Sequence, residues 1–176
     1  MPLTGVPLAG PAIAGFLLLA GCTQGVDERQ SPPTTVTYDL TFLQTAEVVA
    51  TDTVQVFVFD ATQKGGDCLS LVGKRSAGTQ AFSNAPLTQS AAASPCALLG
   101  GDASNAGAVV GVTYGPRSFF AIAQRQSLDF FLGCAETDVE PNVAVVSIAL
   151  EPANATVVVP STSCMSLSGK CSGQCM

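Results

Sequence analysis

The chain contains no histidine and no tryptophan, and only 7 Lys+Arg against 13 Asp+Glu among 176 residues. Each scarcity excludes something. Without histidine, the commonest general base and metal ligand near neutral pH is missing. Histidine-dependent triads and His-based zinc centres are therefore ruled out. The formal net charge is −6 and no basic run occurs, so nothing is present to neutralise phosphates and nucleic-acid binding is not expected. No serine stands in a Gly-x-Ser-x-Gly frame, and no Gly-rich phosphate loop occurs. Catalysis would have to rest on carboxylates or a serine alone, so the chain reads as a non-enzyme with no cofactor. What is present is a length that suits one domain with a real core. Seven cysteines add the mark of an oxidising compartment.

Charge is also unevenly placed. The first 26 residues carry none, and within them Pro11–Ala20 is a short apolar stretch. At roughly ten residues it falls short of the ~20 that a helix needs to span a bilayer. It suits the apolar region of a secretory signal instead. The stretch closes in Leu19-Ala20-Gly21-Cys22, which resembles the lipobox of bacterial lipoproteins. In one respect it departs from that family, whose signals normally open with Lys or Arg. The resemblance implies a signal peptide over residues 1–21 and a lipid on Cys22, with two or three acyl chains. Each buried methylene contributes ~0.8 kcal/mol, and two chains suffice for stable attachment. Thr23 follows the cysteine where an aspartate would signal the inner membrane, so the resemblance implies an outer-membrane anchor.

From residue 22 to 35 the composition turns to Gln, Gly, Asp, Glu and Ser with Pro32-Pro33. Such a segment buries too little to order itself and reads as a tether. The stretch from 36 to 160 reads as a β-domain. In Val36–Phe42 apolar residues fall at every second position, the mark of a half-buried strand. Thr53–Phe59 is apolar on both faces, as a central strand would be. Ser118–Ala123, Phe130–Val139 and Val143–Leu150 complete the set, with Gly115-Pro116 and Pro141-Asn142 as punctuation. No long segment keeps a helical period. The expectation is a single antiparallel β-sandwich. Between Gly65 and Gly107 the pattern is poor: 67–71 and 94–99 each suit a short helical turn, and Gln80–Ser83 suits an edge strand. Val157–Val159 suits a final strand before a Cys/Ser/Gly-rich tail at 161–176.

A strand followed by Asp67-Cys68-Leu69, then Gly115–Ala123, then Gly133-Cys134 and a closing Val/Ile strand resembles the Ig-like or transthyretin-like (carboxypeptidase regulatory-type) sandwich of many bacterial lipoproteins. The resemblance covers roughly Val36 to Leu150 and bears on fold alone, because such sandwiches host many roles. Setting Cys22 aside leaves Cys68, Cys96, Cys134, Cys164, Cys171 and Cys175. Six cysteines in an exported chain suggest disulfides and allow fifteen connectivities. The resemblance implies a Cys68–Cys134 bridge, worth roughly 4 kcal/mol by the chain-entropy model. Cys96 would then pair with the tail, unless it takes Cys134 itself. The three tail cysteines lack histidine and do not match zinc spacing, so no metal site is expected.

Glu136, Asp138 and Glu140 share one face of a strand. Such a row could ligate Ca²⁺, but it reads as a solvated face. The functional expectation is a lipid-anchored, non-enzymatic module whose loops bind an envelope protein or glycan. The alternative is an envelope-structural spacer or assembly part without a specific ligand.

Overall fold

The computed structural model describes residues 34–99, 107–142, 145–161 and 163–174. Strand β1 (Thr34–Phe42) alternates buried and exposed side chains, as its period-two pattern requires. It opens two residues before the alternation that announced it. A short helix α1 (Thr45–Ala50) follows, its first turn closed by the Gln44 amide donating to Glu47 Oε2 at 2.9 Å. Strand β2 (Thr53–Asp60) sends Val54, Val56 and Val58 fully inward, while Phe57 and Phe59 pack on its other face. Helix α2 (Cys68–Ser76) begins where the Asp67 carboxylate accepts from the Ser70 amide at 2.9 Å, a side-chain N-cap. Next come β3 (Thr88–Gln89), α3 (Pro95–Leu99) and β4 (Ala108–Val112). The long strands β5 (Gly115–Arg125) and β6 (Leu128–Val139) form a hairpin, followed by β7 (Val146–Pro152) and α4 (Leu167–Cys171).

The seven strands make one sheet in the order β3-β2-β5-β6-β7-β1-β4. A mostly β chain is what the alternation called for, but the sheet is mixed. Five pairings are antiparallel, whereas β1 runs parallel to β7, with Tyr38 opposite Val146 and Phe42 opposite Leu150. The wholly antiparallel expectation fails there for a physical reason. Side-chain alternation records which face is buried and carries no strand direction, and β1 meets β7 only after the rest of the sheet has been laid down. The sheet curls until its edges nearly meet. The Thr88 hydroxyl on β3 donates to the Val110 carbonyl on β4 at 2.8 Å.

The inner face holds the main core: Val36, Tyr38 and Leu40, the β2 valines, Phe119, Ala121, Ala123, Phe131, Ile148 and Leu150. The outer face of β2, β5 and β6 carries Phe59, Phe120, Ile122 and Leu132, which α2 covers through Leu71. The Cys68–Cys134 bridge ties that helix to β6 across a separation of 66 residues, a closure worth about 4 kcal/mol. Gly133, beside the bridge, is required by close approach. A Cβ there would sit 2.3 Å from the Ala149 carbonyl oxygen on β7.

Three local expectations change. Gln80–Ser83 is not a strand; the edge strand is Thr88–Gln89. Phe82 instead plugs the outer face, its ring 5.0 Å from both Phe57 and Phe59 and 6.0 Å from Phe120. Val157–Val159 forms no strand either: Val157 packs against both cores while Val158 is exposed. Finally, α1, β4 and α4 were not foreseen. Residues 100–106, 143 and 144, at the edges of earlier expectations, lie outside the described residues.

The two ends of the curled sheet differ in what reaches them. At one end are Thr34, which pairs with Val112, the start of β5, and the end of β6. At the other are Phe42, Pro152 and the β5–β6 turn, linked through Leu150 and Phe131. A nine-residue strand such as β1 separates them by roughly 26 Å. The chain therefore enters the domain at the end opposite the β5–β6 turn.

Candidate functional site

The features that stand out chemically gather at the far end, around the β5–β6 turn. Register along this hairpin is regular from Gly115–Val139 to Ala123–Phe131, then slips, so that Gln124 faces Asp129 and Arg125 faces Leu128. Phe130 is the extra residue, a β-bulge. The bulge explains why two consecutive phenylalanines both join the inner core, their rings edge to face at 4.5 Å. It also turns the strand end, placing the Arg125 guanidinium over the Phe130 ring at 6.0 Å. The two turn residues, Gln126 and Ser127, have φ of 50° and 64°. Two-residue hairpin turns favour such angles, but usually with Asn or Gly in place. Both side chains pay the steric cost of the left-handed region. The Gln126 amide is held by Asp52 Oδ2 at 2.7 Å.

Two clefts flank this turn and share Arg125. One, of about 380 Å³, is lined by Arg75, Gln80, Arg125, Gln126, Asn154 and Thr156, with the apolar Leu128 and Val158 at its rim. The other, of about 330 Å³, is lined by Arg125, Lys170, Asp52, Ser161 and Ser163 over Val49 and Ala50. Most of the charge here is already engaged. Arg75 makes a forked ion pair with Asp129 and also donates to the Gln80 carbonyl. The Lys170 ammonium donates to the carbonyls of Val49 at 2.7 Å and Thr51 at 2.5 Å. Burial pulls the Lys170 amine below its ordinary range; the nearby Asp52 opposes this and the Arg125 charge adds to it. Arg125 itself is half-buried and has no hydrogen-bond acceptor or ion-pair partner among the described residues.

The cysteines form a frame around these groups. Cys68 is joined to Cys134 and Cys96 to Cys171. The second bridge fastens α4, and with it Lys170, to α3. Cys164 is also a disulfide cysteine, buried against Val48 and Val49. Cys22 and Cys175 lie outside the described residues.

The chain matches no family model, no curated protein and no solved structure.

The carboxylate row does not converge. Glu136 accepts from the Cys68 amide at 2.6 Å, and Glu136, Asp138 and Glu140 are all exposed. Among the described residues no group of three or more Cys, Asp or Glu side chains is placed to hold a metal ion. Among the same residues no helix is long and apolar enough to cross a membrane. Asn154, part of a glycosylation-like triplet, accepts from the Thr156 amide and hydroxyl at 2.9 and 2.6 Å and so shapes the wall of the larger cleft. Sequence reasoning missed the site at Arg125–Ser127. No sequence signal marked it, because adjacent apolar residues such as Phe130-Phe131 also occur at Phe119-Phe120, where the register stays regular.

Proposed function

We propose that this protein is a lipid-anchored, non-enzymatic binding module of a bacterial envelope, held at Cys22 and engaging its ligand at the end of the domain that carries Arg125. One observation carries the binding half of this reading: the clefts open at the end opposite the strand into which the tether leads. A domain anchored through residues before Thr34 would keep its own attachment point clear of those clefts. The anchor half is supported by Leu19–Cys22 placed directly after an apolar run, and Thr23 favours the outer membrane. The curled sheet is read as a divergent Ig-like or transthyretin-like sandwich. That reading is supported by its two-sided inner core and the Cys68–Cys134 bridge. A spacer without a ligand would have no use for a strained turn beside an unpaired arginine.

Two tests address the two halves. Mass spectrometry of the mature protein should find acyl chains on Cys22, and a Cys22→Ala variant should leave the membrane fraction. A photo-crosslinking residue at Leu128 in intact cells should yield one discrete adduct, and the same residue at Lys64, near the opposite end, should yield none. Equal labelling from both positions, or none from either, would favour the spacer.

A further inference from the structure

Beyond a generic binding end, we propose that Arg125 is the anchoring cation of a site for an acidic, carboxylate-bearing glycan that lies across the β5–β6 turn from one cleft to the other. The inference rests on the binding reading above and gives it a ligand chemistry. Three observations support it.

The first is the state of the arginines. Of the three among the described residues, Arg75 is saturated by Asp129 and Gln80, and Arg117 by the carbonyls of Thr113, Tyr114 and Pro116. Only Arg125 keeps its planar fork of donors open, and it opens into both clefts. That fork matches a carboxylate in a two-bond geometry. The second is the local charge. Asp129 is neutralised by Arg75, while Lys170 faces the same cleft as Arg125 and its amine is depressed partly by that neighbour. Asp52 is the single carboxylate opposing them there, and it is held by the Gln126 amide. The place is short of negative charge in a chain with a net charge of −6.

The third is the lining. Gln80, Gln126, Asn154, Thr156, Ser161 and Ser163 supply amides and hydroxyls, which pair with sugar hydroxyls. Leu128 at 66% and Val158 at 80% exposure offer apolar surface to the C–H faces of a sugar ring. A peptide is less suited. Extended peptides commonly bind by adding a strand to an open sheet edge, and here the two edges face each other at Thr88 and Val110.

The test is calorimetric titration of the full chain, in detergent micelles, with hexagalacturonate as the acidic probe, maltohexaose as the neutral one and poly-L-glutamate as the acidic peptide. Saturable binding of hexagalacturonate is expected, at least tenfold weaker in Arg125→Gln and unchanged in Lys64→Gln, which removes an exposed lysine elsewhere. Maltohexaose and polyglutamate should bind at least tenfold more weakly than hexagalacturonate. The proposal is overturned if hexagalacturonate does not saturate or if the two variants lose affinity equally. It is also overturned if either control probe binds as well. Should it fall while the Leu128 adduct persists in cells, the binding reading stands and only the glycan assignment is lost.

Discussion

Strand β5 carries an arginine near each end of one side-chain row, and their fates are opposite. Arg117, Phe119, Ala121, Ala123 and Arg125 alternate onto the same face, with the middle three in the inner core. Near the end where the chain enters, Arg117 is 9% exposed. It donates to the carbonyls of Thr113, Tyr114 and Pro116 and to the Thr113 hydroxyl, with Asp60 at 3.7 Å. It closes that end of the interior. At the other end Arg125 rests on Phe130 without an acceptor, held out by a bulge and a strained turn. Residue type and strand position are alike, so the difference lies in what the neighbouring loops supply. The 113–116 turn offers oxygens to Arg117. At the 126–127 turn the Gln126 amide engages the nearby Asp52 carboxylate, and no turn carbonyl accepts from Arg125. One arginine maintains the fold; the other is available.

Perturbations of the frame should hit hardest. The double variant Cys68→Ser/Cys134→Ser is expected to lose about 4 kcal/mol in denaturant unfolding, and it should loosen both ends alike because the bridge lies between them. Arg117→Gln should cost about 2 kcal/mol, since it leaves the part-buried carbonyls of Thr113 and Tyr114 without their donor. If it costs as little as a surface change, Arg117 is no closure and the contrast collapses. Arg125→Gln should stay within about 0.5 kcal/mol, as expected of a side chain that holds nothing else in place.

Smaller effects separate the ends by pH. The Ser70 amide holds the Asp67 carboxyl below its ordinary range. Its stabilisation is therefore full above the unfolded-state value and is lost as pH falls through the folded one. Asp67→Asn keeps an N-cap and should remove that part of the acid dependence. Lys170 gives a slope of the same sign, but in the alkaline range. Its amine is depressed in the fold, so the folded state holds fewer protons than the unfolded in the alkaline window below 10.5. Stability from this group should rise with pH across that window. Burial raises the Tyr38 phenol and gives the opposite slope, so the wild type minus a Lys170→Met variant is the curve to measure.

Much of this frame was legible in residue order. Alternation located β1, because a half-buried strand imposes period two, and apolar runs rich in β-branched and aromatic residues located β2, β5, β6 and β7. Direction was not legible, and the parallel β1–β7 pair was missed for that reason. Nor was Phe82, an isolated aromatic between Ala81 and Ser83 whose partners Phe57, Phe59 and Phe120 are far away in sequence. The candidate site was the least visible part. Gln126-Ser127 is not a customary hairpin turn, and Arg125 is distinguished only by missing contacts, which residue order does not record.

The most direct test measures unfolding free energy and hexagalacturonate affinity together for wild type, Arg117→Gln and Arg125→Gln. The account predicts that Arg125→Gln unfolds like wild type within about 0.5 kcal/mol yet binds at least tenfold more weakly, while Arg117→Gln loses stability and keeps its affinity under native conditions. An Arg125→Gln protein that binds as wild type does, or that loses affinity only in step with stability, would contradict it.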